Sequence, residues 1–120
     1  MMQTLLFVYG TLMAGEPSHA LVAESAALGK ALTEPAFELL DCGEYPAMIG
    51  GGATAITGEL YSVSPETLDR LDEYESHPSL FRRSLIALAD GREVEAYLGT
   101  DTTERRRVIP GGDWRASRRV

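Results

Sequence analysis

The amino-acid sequence predicts an α+β fold with a mainly antiparallel sheet that can curl toward a barrel. Short segments with the apolar pattern of β-strands follow one another along the chain. Segments with helical features are few and short, and no long alternation of strand and helix recurs. With 120 residues, the chain is predicted to form one domain over residues 1–120.

The first half of the chain contains three of the predicted strands. Residues 4–9 form a continuous apolar run, which predicts a strand buried on both faces, and Gly10 ends it. Residues 18–25 have the pattern of a short helix. Residues 27–32 and 36–40 predict two further strands.

A loop, a strand and a helix follow. Residues 43–53 contain Pro46 and three consecutive glycines and are predicted to be a loop. Residues 54–63 return to a strand pattern. Ser64 and Pro65 then have the residue types preferred at the N-cap and the first position of a helix.

The last third of the chain has a strong hairpin signal. Residues 81–89 and 92–98 read as strands, and they flank the dipeptide Asp90-Gly91. This dipeptide favours a two-residue turn of type I′. We therefore predict an antiparallel hairpin with that turn at its tip.

The charge distribution argues against binding to nucleic acid. The net charge is −7, and residues 1–100 hold 15 acidic against 5 basic side chains (−10). An acidic surface repels phosphate backbones, and the arginines at 105–107 and beyond are expected to be solvated or folded back onto the acidic body. No apolar run approaches the roughly 20 residues of a membrane span, so no membrane partner is expected and the predicted location is cytoplasmic.

The residues that commonly bind soft metals are scarce. The chain has a single cysteine, Cys42, and two histidines, His19 and His77. One cysteine cannot form an intramolecular disulfide, and these three residues do not form a zinc motif. No metal site is predicted, and Cys42 beside a glycine is expected to be a small packed residue.

One carboxylate near the end of the predicted helix has an unusual position. At about 100° per residue, Glu75 projects close to the apolar stripe of Leu68 and Leu71, whereas Glu73 points to the opposite side. An inward carboxylate tends to hold its proton toward neutral pH, which suits general acid–base catalysis. If the helix ends earlier, as Pro78 would allow, Glu75 lies on a solvated loop. Periodicity alone favours neither interpretation.

The end of the first strand provides a second chemical element. Gly10 lets the backbone turn sharply, and successive free amides at such a turn bind anions or a developing oxyanion. By itself this signal is weak, because a glycine and a threonine commonly end a strand. Tyr97 alternates with the apolar residues of its strand, so its hydroxyl is expected either in a pocket or on the outer surface.

Five segments taken together resemble the γ-glutamylcyclotransferase-like family. They occur in the family's order and span most of the chain: Tyr9-Gly10-Thr11-Leu12, Gly43-Glu44-Tyr45-Pro46-Ala47, Gly58-Glu59-Leu60-Tyr61, Leu71-Asp72-Glu73-Tyr74-Glu75 and Phe81-Arg82-Arg83. The segment from Glu75 to Phe81 is most similar to the γ-glutamylamine cyclotransferase branch. Phe81 is a departure, because many relatives have tyrosine there.

The resemblance implies a fold, a site and a reaction. The fold would be a small mixed β-barrel with short helices, and Glu75 would be the single catalytic acid/base. The substrate-binding residues would be Tyr9, Gly10, Thr11, Leu12 and, as the pocket hydroxyl, Tyr97. The substrate would be a small γ-glutamyl compound that releases 5-oxoproline and a free amine, with no cofactor, in a protein that is a monomer or a weak dimer.

Two alternatives remain open at this stage. The chain could be a non-catalytic module that binds a γ-glutamyl or amino-acid-like ligand, or it could apply the same chemistry to a γ-glutamyl-protected metabolite. Other polar residues are expected to have structural and not catalytic roles. Asp72 and Glu73 are expected to be solvated charges on the helix, His77 to be exposed, and Ser18 and Ser64 to be helix caps.

Overall fold

The computed structural model describes residues 2–100 and 107–118. The described elements are, in chain order, β1 (Thr4–Val8), a 3₁₀ turn (His19–Leu21), β2 (Ala26–Leu32), β3 (Phe37–Asp41), β4 (Pro46–Gly50), β5 (Thr57–Val63), α1 (Pro65–Tyr74), β6 (Phe81–Ala87), β7 (Glu93–Gly99), β8 (Arg107–Val108) and α2 (Trp114–Ser117). The expectations for Arg105, Arg106 and Arg119 lie outside the described residues. No described helix is both long and apolar enough to cross a membrane.

The strands form one mixed sheet in the order β2-β5-β1-β7-β4-β3-β8, with β6 also paired to β7. One edge of β7 pairs with β6 along its whole length. The other edge is shared by two parallel neighbours, β1 near its start and β4 near its end. The remaining described pairs are antiparallel, so the predicted α+β class with a mixed, mainly antiparallel sheet is confirmed.

The sheet is not closed into a complete barrel. The ends of β2 and β6 approach each other through an isolated bridge between Thr33 and Leu88, rather than through a ladder of paired residues. The amide of Ala89 donates to the carbonyl of Leu32 at 2.8 Å beside that bridge. The barrel implied by the family resemblance is therefore an open, curled sheet whose edges touch at one point.

The first strand lies at the centre of this sheet. β1 pairs with β5 on one side and β7 on the other, and Leu6, Phe7 and Val8 are each at most 3% exposed. Because consecutive residues of a strand point to opposite faces, three buried neighbours mean that both faces are covered. The predicted double-sided burial of this strand is confirmed.

Helix α1 begins as the sequence predicts. The side chain of Ser64 accepts a hydrogen bond from the amide of Thr67 at 3.1 Å, and Pro65 occupies the first helical position. Leu68 and Leu71 are the buried apolar anchors. The helix ends at Tyr74, and Glu75 keeps right-handed helical dihedrals as its C-cap, so its side chain continues the helical phase.

Two local predictions in the first half are wrong. Residues 46–50, predicted to be loop, form β4, whose Pro46, Ala47 and Met48 are buried between β3 and β7. Proline is compatible with the first position of a strand, and tertiary pairing outweighs the glycines that follow. The predicted helix at 18–25 is a single 3₁₀ turn, His19–Leu21.

The predicted hairpin is confirmed, but its turn type is wrong. A type I′ turn requires positive φ at both central residues, and here only Gly91 has it, at 90°. The amide of Gly91 donates to the carbonyl of Leu88, and the amide of Leu88 donates to the carbonyl of Arg92. The hairpin therefore has a longer loop in which glycine alone adopts the left-handed conformation.

Candidate active site

A cleft of about 600 Å³ opens where β1 ends, between the C-terminus of α1 and the loops after β1 and β3. Pockets that bury small-molecule ligands typically measure roughly 300–1,000 Å³. All six residues that the sequence singled out line this cleft: Tyr9, Gly10, Thr11, Leu12, Glu75 and Tyr97. The structure thus gathers around one cleft residues that are up to 88 positions apart.

The turn after β1 leaves its amides available. The carbonyl of Gly10 accepts from Met13, that of Thr11 accepts from Ser18, and that of Leu12 contacts the imidazole Nδ1 of His19 at 2.9 Å. In contrast, no hydrogen bond from the amides of Gly10, Thr11 or Leu12 to any described group is found. With carbonyls engaged and amides free, this turn is suited to hold an anionic group.

Gly10 is required at this turn by packing and not by its dihedral angles. A Cβ built on Gly10 would lie 2.6 Å from Cγ of Pro46, and the proline ring cannot move aside as a flexible side chain would. Pro46 starts β4 and also lines the cleft. The missing side chain therefore allows the turn to approach the opposite loop closely.

Glu75 places a carboxyl group in the lining of the cleft. Burial raises the pKa of its carboxyl from the ordinary 4.5 to about 7. No hydrogen bond or ion pair to its carboxylate is found among residues 2–100 and 107–118. A carboxyl with this pKa is close to half-ionised at neutral pH, so it can both accept and donate a proton.

Tyr9 contributes its ring to the cleft, while its hydroxyl is engaged in the sheet. The hydroxyl donates to the backbone carbonyl of Tyr97 at 2.6 Å and accepts from the amide of Met48 at 3.0 Å. The hydroxyl thereby bridges β7 and β4, at the point where β1 ends and β4 becomes the strand that pairs with the same edge of β7. Burial raises the pKa of Tyr9 far above its usual range, so the phenol stays protonated.

Tyr97 lies in the cleft wall, not on the outer surface. It is 3% exposed, and its hydroxyl donates to Oδ1 of Asp72 at 2.6 Å. Burial, and then the hydrogen bond to Asp72, raise the pKa of Tyr97 well above its usual range. The phenol is therefore a fixed, neutral group that faces the cleft.

Asp72 is not the solvated charge that the sequence suggested. Arg83 binds it with both Nε and Nη2, at 2.9 and 3.0 Å, and Nη1 of the same guanidinium contacts Glu95 at 2.9 Å. Burial alone would raise the pKa of Asp72, but the hydrogen bonds from Arg83 and Tyr97 outweigh it and hold the pKa below its usual range. Helical periodicity could not reveal this, because the partners lie on the following hairpin.

Two further predictions for polar residues are corrected. His77 is half-buried, and its Nδ1 accepts from the amide of Arg83 at 3.1 Å. Ser18 makes no side-chain cap. Its hydroxyl instead contacts the hydroxyl of Tyr74 at 2.5 Å, in the cleft wall. Glu73 is exposed as expected, and Ser64 caps α1.

The opposite part of the cleft is apolar. Phe81, which starts β6, packs against Tyr45 with ring centroids 5.9 Å apart, and Leu80 lies beside them in the lining. Tyr45 comes from the loop between β3 and β4, so two separate hairpins form this wall. A wall of this kind suits an aliphatic or aromatic part of a ligand.

The C-terminal helix completes the site, which the sequence did not predict. Trp114 is 2% exposed, and Arg118 lies over its ring and lines the cleft. Arg115 pairs with Glu16 at 2.9 Å and Glu59 at 3.3 Å, and its guanidinium donates to the carbonyl of Ala14. The loop after β1 is thus fixed from its outer side.

Two of the three described arginines near the C-terminus, Arg107 and Arg115, fold back onto the acidic body. Arg107 pairs with Asp41 at 2.9 Å, and Arg115 is held by two glutamates. These arginines are expected from the sequence to be either solvated or folded back onto the body. Folding back holds for Arg107 and Arg115, whereas Arg118 is exposed. The described residues also contain no cluster of three or more His, Cys, Asp or Glu side chains that could hold a metal ion.

The cleft combines a carboxyl whose pKa is raised to about 7 with a turn whose amides make no hydrogen bond to a described group, an arrangement suited to acid–base chemistry on a small polar molecule. Comparison with known families gives an independent assignment. The model of the family described as "Gamma-glutamyl cyclotransferase, AIG2-like" matches residues 6–116. The chain therefore belongs to this family and is an enzyme of the cyclotransferase type.

Individual relatives support the same assignment. A Vibrio cholerae protein with the name "Putative gamma-glutamylcyclotransferase" is 38% identical over 113 residues, covering 94% of this chain and 96% of that protein. The human gamma-glutamylaminecyclotransferase is 36% identical over 93 residues, covering 68% of this chain and 60% of the human protein. The crystal structure of c4763, a uropathogenic Escherichia coli-specific protein, matches with a TM-score of 0.84 at 28% identity, covering 98% of this chain and 96% of that one.

Proposed function

We propose that this enzyme acts on γ-glutamyl amines, releasing 5-oxoproline and a free amine, with Glu75 as the general acid and base. The observation that carries the proposal is the pairing of two features in one cleft. One is a carboxyl whose pKa is about 7, and the other is the turn Gly10–Leu12 with its free amides. A γ-glutamyl head has an ammonium group for the first and a carboxylate for the second.

The reaction is an intramolecular acyl transfer. The α-amine of the substrate attacks its own γ-carbonyl carbon, a C–N bond closes the five-membered ring, and the original amide C–N bond breaks. Because nucleophile and electrophile belong to one molecule, the enzyme mainly has to hold the substrate in a folded conformation. The shape of the cleft and the close approach of Gly10 to Pro46 support that role.

Proton movement is balanced within the substrate. The α-ammonium nitrogen loses two protons as it becomes the ring amide, and the leaving nitrogen gains two as it becomes an ammonium. Glu75 accepts each proton from the first nitrogen and delivers it to the second. A pKa near ambient pH suits both directions of transfer, because neither protonation state is costly to reach.

The aromatic hydroxyls are assigned structural tasks in this mechanism. Tyr97 is held by Asp72 and Arg83, and Tyr9 is held by two strands, so neither ring can rotate freely. Their fixed rings shape the part of the cleft that receives the γ-glutamyl head. The free amides of Thr11 and Leu12 then bind the α-carboxylate or the oxyanion that develops on the γ-carbonyl.

Direct assay tests the proposal. Purified enzyme is incubated with a panel of γ-glutamyl alkylamides, γ-glutamyl-ε-lysine and γ-glutamyl-amino acids, and 5-oxoproline is quantified. Chemical-shift mapping with 5-oxoproline is run in parallel and should perturb Gly10–Leu12 and Glu75. Release of 5-oxoproline from no member of the panel, or shifts confined to a surface away from the cleft, would refute the proposal.

A further inference from the structure

One cation in the cleft has no task in the proposed reaction. The charged residues that line the cleft are Glu44, Glu75 and Arg118. The guanidinium of Arg118 has no acidic partner among residues 2–100 and 107–118. Other arginines of the chain do pair with acids at 2.8 to 3.3 Å, namely Arg83, Arg92, Arg107 and Arg115. Arg118 therefore brings to the cleft wall a positive charge that forms no ion pair with a described residue.

The position of Arg118 is fixed by its helix. Its Cζ atom lies 4.5 Å from the centre of the Trp114 ring, which is itself buried. The helix is capped by Asp113, whose side chain accepts from Ala116, and it is tied to the loop after β1 by Arg115. Contact through the face of a guanidinium leaves its in-plane N–H donors available, and these donors match a carboxylate.

Arg118 and Glu75 lie at different depths. Arg118 is exposed, whereas Glu75 is half-buried, and the desolvation of its carboxyl raises its pKa. The γ-glutamyl head has to reach Glu75, because its amine must give up protons there. A ligand group beside Arg118 then belongs to the part of the substrate that extends toward solvent, which is the leaving amine.

We propose that Arg118 is a specificity-determining residue that binds an anionic group, preferably a carboxylate, on the distal end of the leaving amine. This inference rests on the proposed function. It assigns the substrate class as γ-glutamyl amides of amines that have an aliphatic arm with a terminal carboxylate. A carboxylate on the carbon beside the scissile nitrogen is disfavoured, because it would stay close to Glu75 and be repelled by its ionised form.

The aliphatic arm has a matching surface. Leu80, Phe81 and Tyr45 line the same cleft as Arg118 and form an apolar wall, which suits an aliphatic arm. The two interactions are physically separable. The apolar wall does not distinguish a charged from a neutral terminus, whereas Arg118 does.

A pair of matched substrates isolates the charge. γ-Glutamyl-6-aminohexanoate has a terminal carboxylate, and its primary amide has the same arm with a neutral end. We expect the wild-type enzyme to have a kcat/KM about tenfold higher for the acid, the size of one partly exposed charge-assisted hydrogen bond. This ratio should fall as salt is added, because the pair is accessible to ions.

Three variants complete the test. R118A should bring the ratio close to one, and R118K should keep part of it, because lysine retains the charge but lacks the planar fork. R92A is the matched control, since Arg92 is an exposed arginine paired with Asp90 at the hairpin tip and lies outside the cleft lining. Thermal melts of each variant verify folding.

The outcomes separate this inference from the proposed function. Equal kcat/KM for the two substrates in the wild-type enzyme, or an equal loss on both in R118A, would overturn the role of Arg118 while leaving the cyclotransferase reaction intact. If the wild-type enzyme releases 5-oxoproline from neither substrate nor from any member of the wider panel, the proposed function itself fails, and this inference fails with it.

Discussion

Replacing Glu75 with glutamine should lower activity and raise stability at the same time. Glutamine keeps the shape of the side chain but cannot exchange a proton. If Glu75 is the acid and base, kcat should fall roughly 100- to 10,000-fold, the usual contribution of general acid–base catalysis. In the wild-type enzyme, kcat/KM should decline as the pH falls below about 7, because the proton acceptor is the ionised carboxylate.

The stability effect follows from the raised pKa. The folded protein binds the Glu75 proton more tightly than the unfolded chain, because the folded pKa is about 7 and the ordinary value is 4.5. The protonated Glu75 carboxyl therefore makes its full contribution to the free energy of unfolding below about pH 4.5. This contribution is lost as the pH rises through 7. At about 1.36 kcal/mol per pKa unit, the wild-type protein loses about 3 kcal/mol over this interval. E75Q has no such loss.

Denaturant unfolding at several pH values measures this difference. Between pH 4.5 and about pH 8, the free energy of unfolding of E75Q should rise by about 3 kcal/mol relative to the wild type. E73Q is the control, since Glu73 is an exposed carboxylate on the same helix and should change neither quantity. A folded E75Q with near wild-type turnover would refute the catalytic assignment. A pH-independent difference in stability would refute the desolvation of Glu75.

Further predictions concern the turn, the supporting ion pair and the leaving group. G10A should lose about 1–3 kcal/mol of stability by overpacking against Pro46, and its activity should fall by more than this loss accounts for. G50A is the control, because a Cβ there meets nothing within 4 Å, and it should behave as wild type in melts and kinetics. D72N should leave the Tyr97 hydroxyl without its charged acceptor and cost about 1–3 kcal/mol of stability. It should also raise KM and lower kcat together, and an unchanged KM would contradict the positioning role of Asp72. γ-Glutamyl-ε-lysine or a simple γ-glutamyl alkylamide should be turned over faster than γ-glutamyl-alanine, and the reverse order of kcat/KM would overturn the preference.

Features encoded within a few consecutive residues were predictable from the sequence. Ser64 and Pro65 define the start of α1 because a cap needs only the side chain and the amide three positions later. The hairpin of β6 and β7 is likewise encoded by neighbouring residues, since two segments with a strand pattern flank a glycine. Its turn type was missed because the residues around Asp90 form a longer loop that the dipeptide alone does not reveal.

The strand β4 shows where local patterns fail. Its proline and the glycines after it are typical of a loop, yet Ala47 pairs with Leu40 and Met48 pairs with Leu98. These partners are supplied by β3 and by β7, and Leu98 of β7 is 50 positions from Met48 in the sequence. Burial of β4 between the two strands outweighs its weak strand propensity. No window of sequence around residues 46–50 contains that information.

The site divides in the same way. The sequence by itself determined that Gly10 ends a buried strand, and that Glu75 shares the phase of Leu68 and Leu71 if the helix extends that far, because both depend on spacing along one element. The structure decided that the helix does extend to Tyr74, with Glu75 as its C-cap. Only the tertiary structure decided that Tyr9 bridges two strands with its hydroxyl, that Asp72 is paired to Arg83, and that α2 brings Arg118 to the cleft. These contacts join residues far apart in the chain, and their geometry exists only after the sheet has assembled.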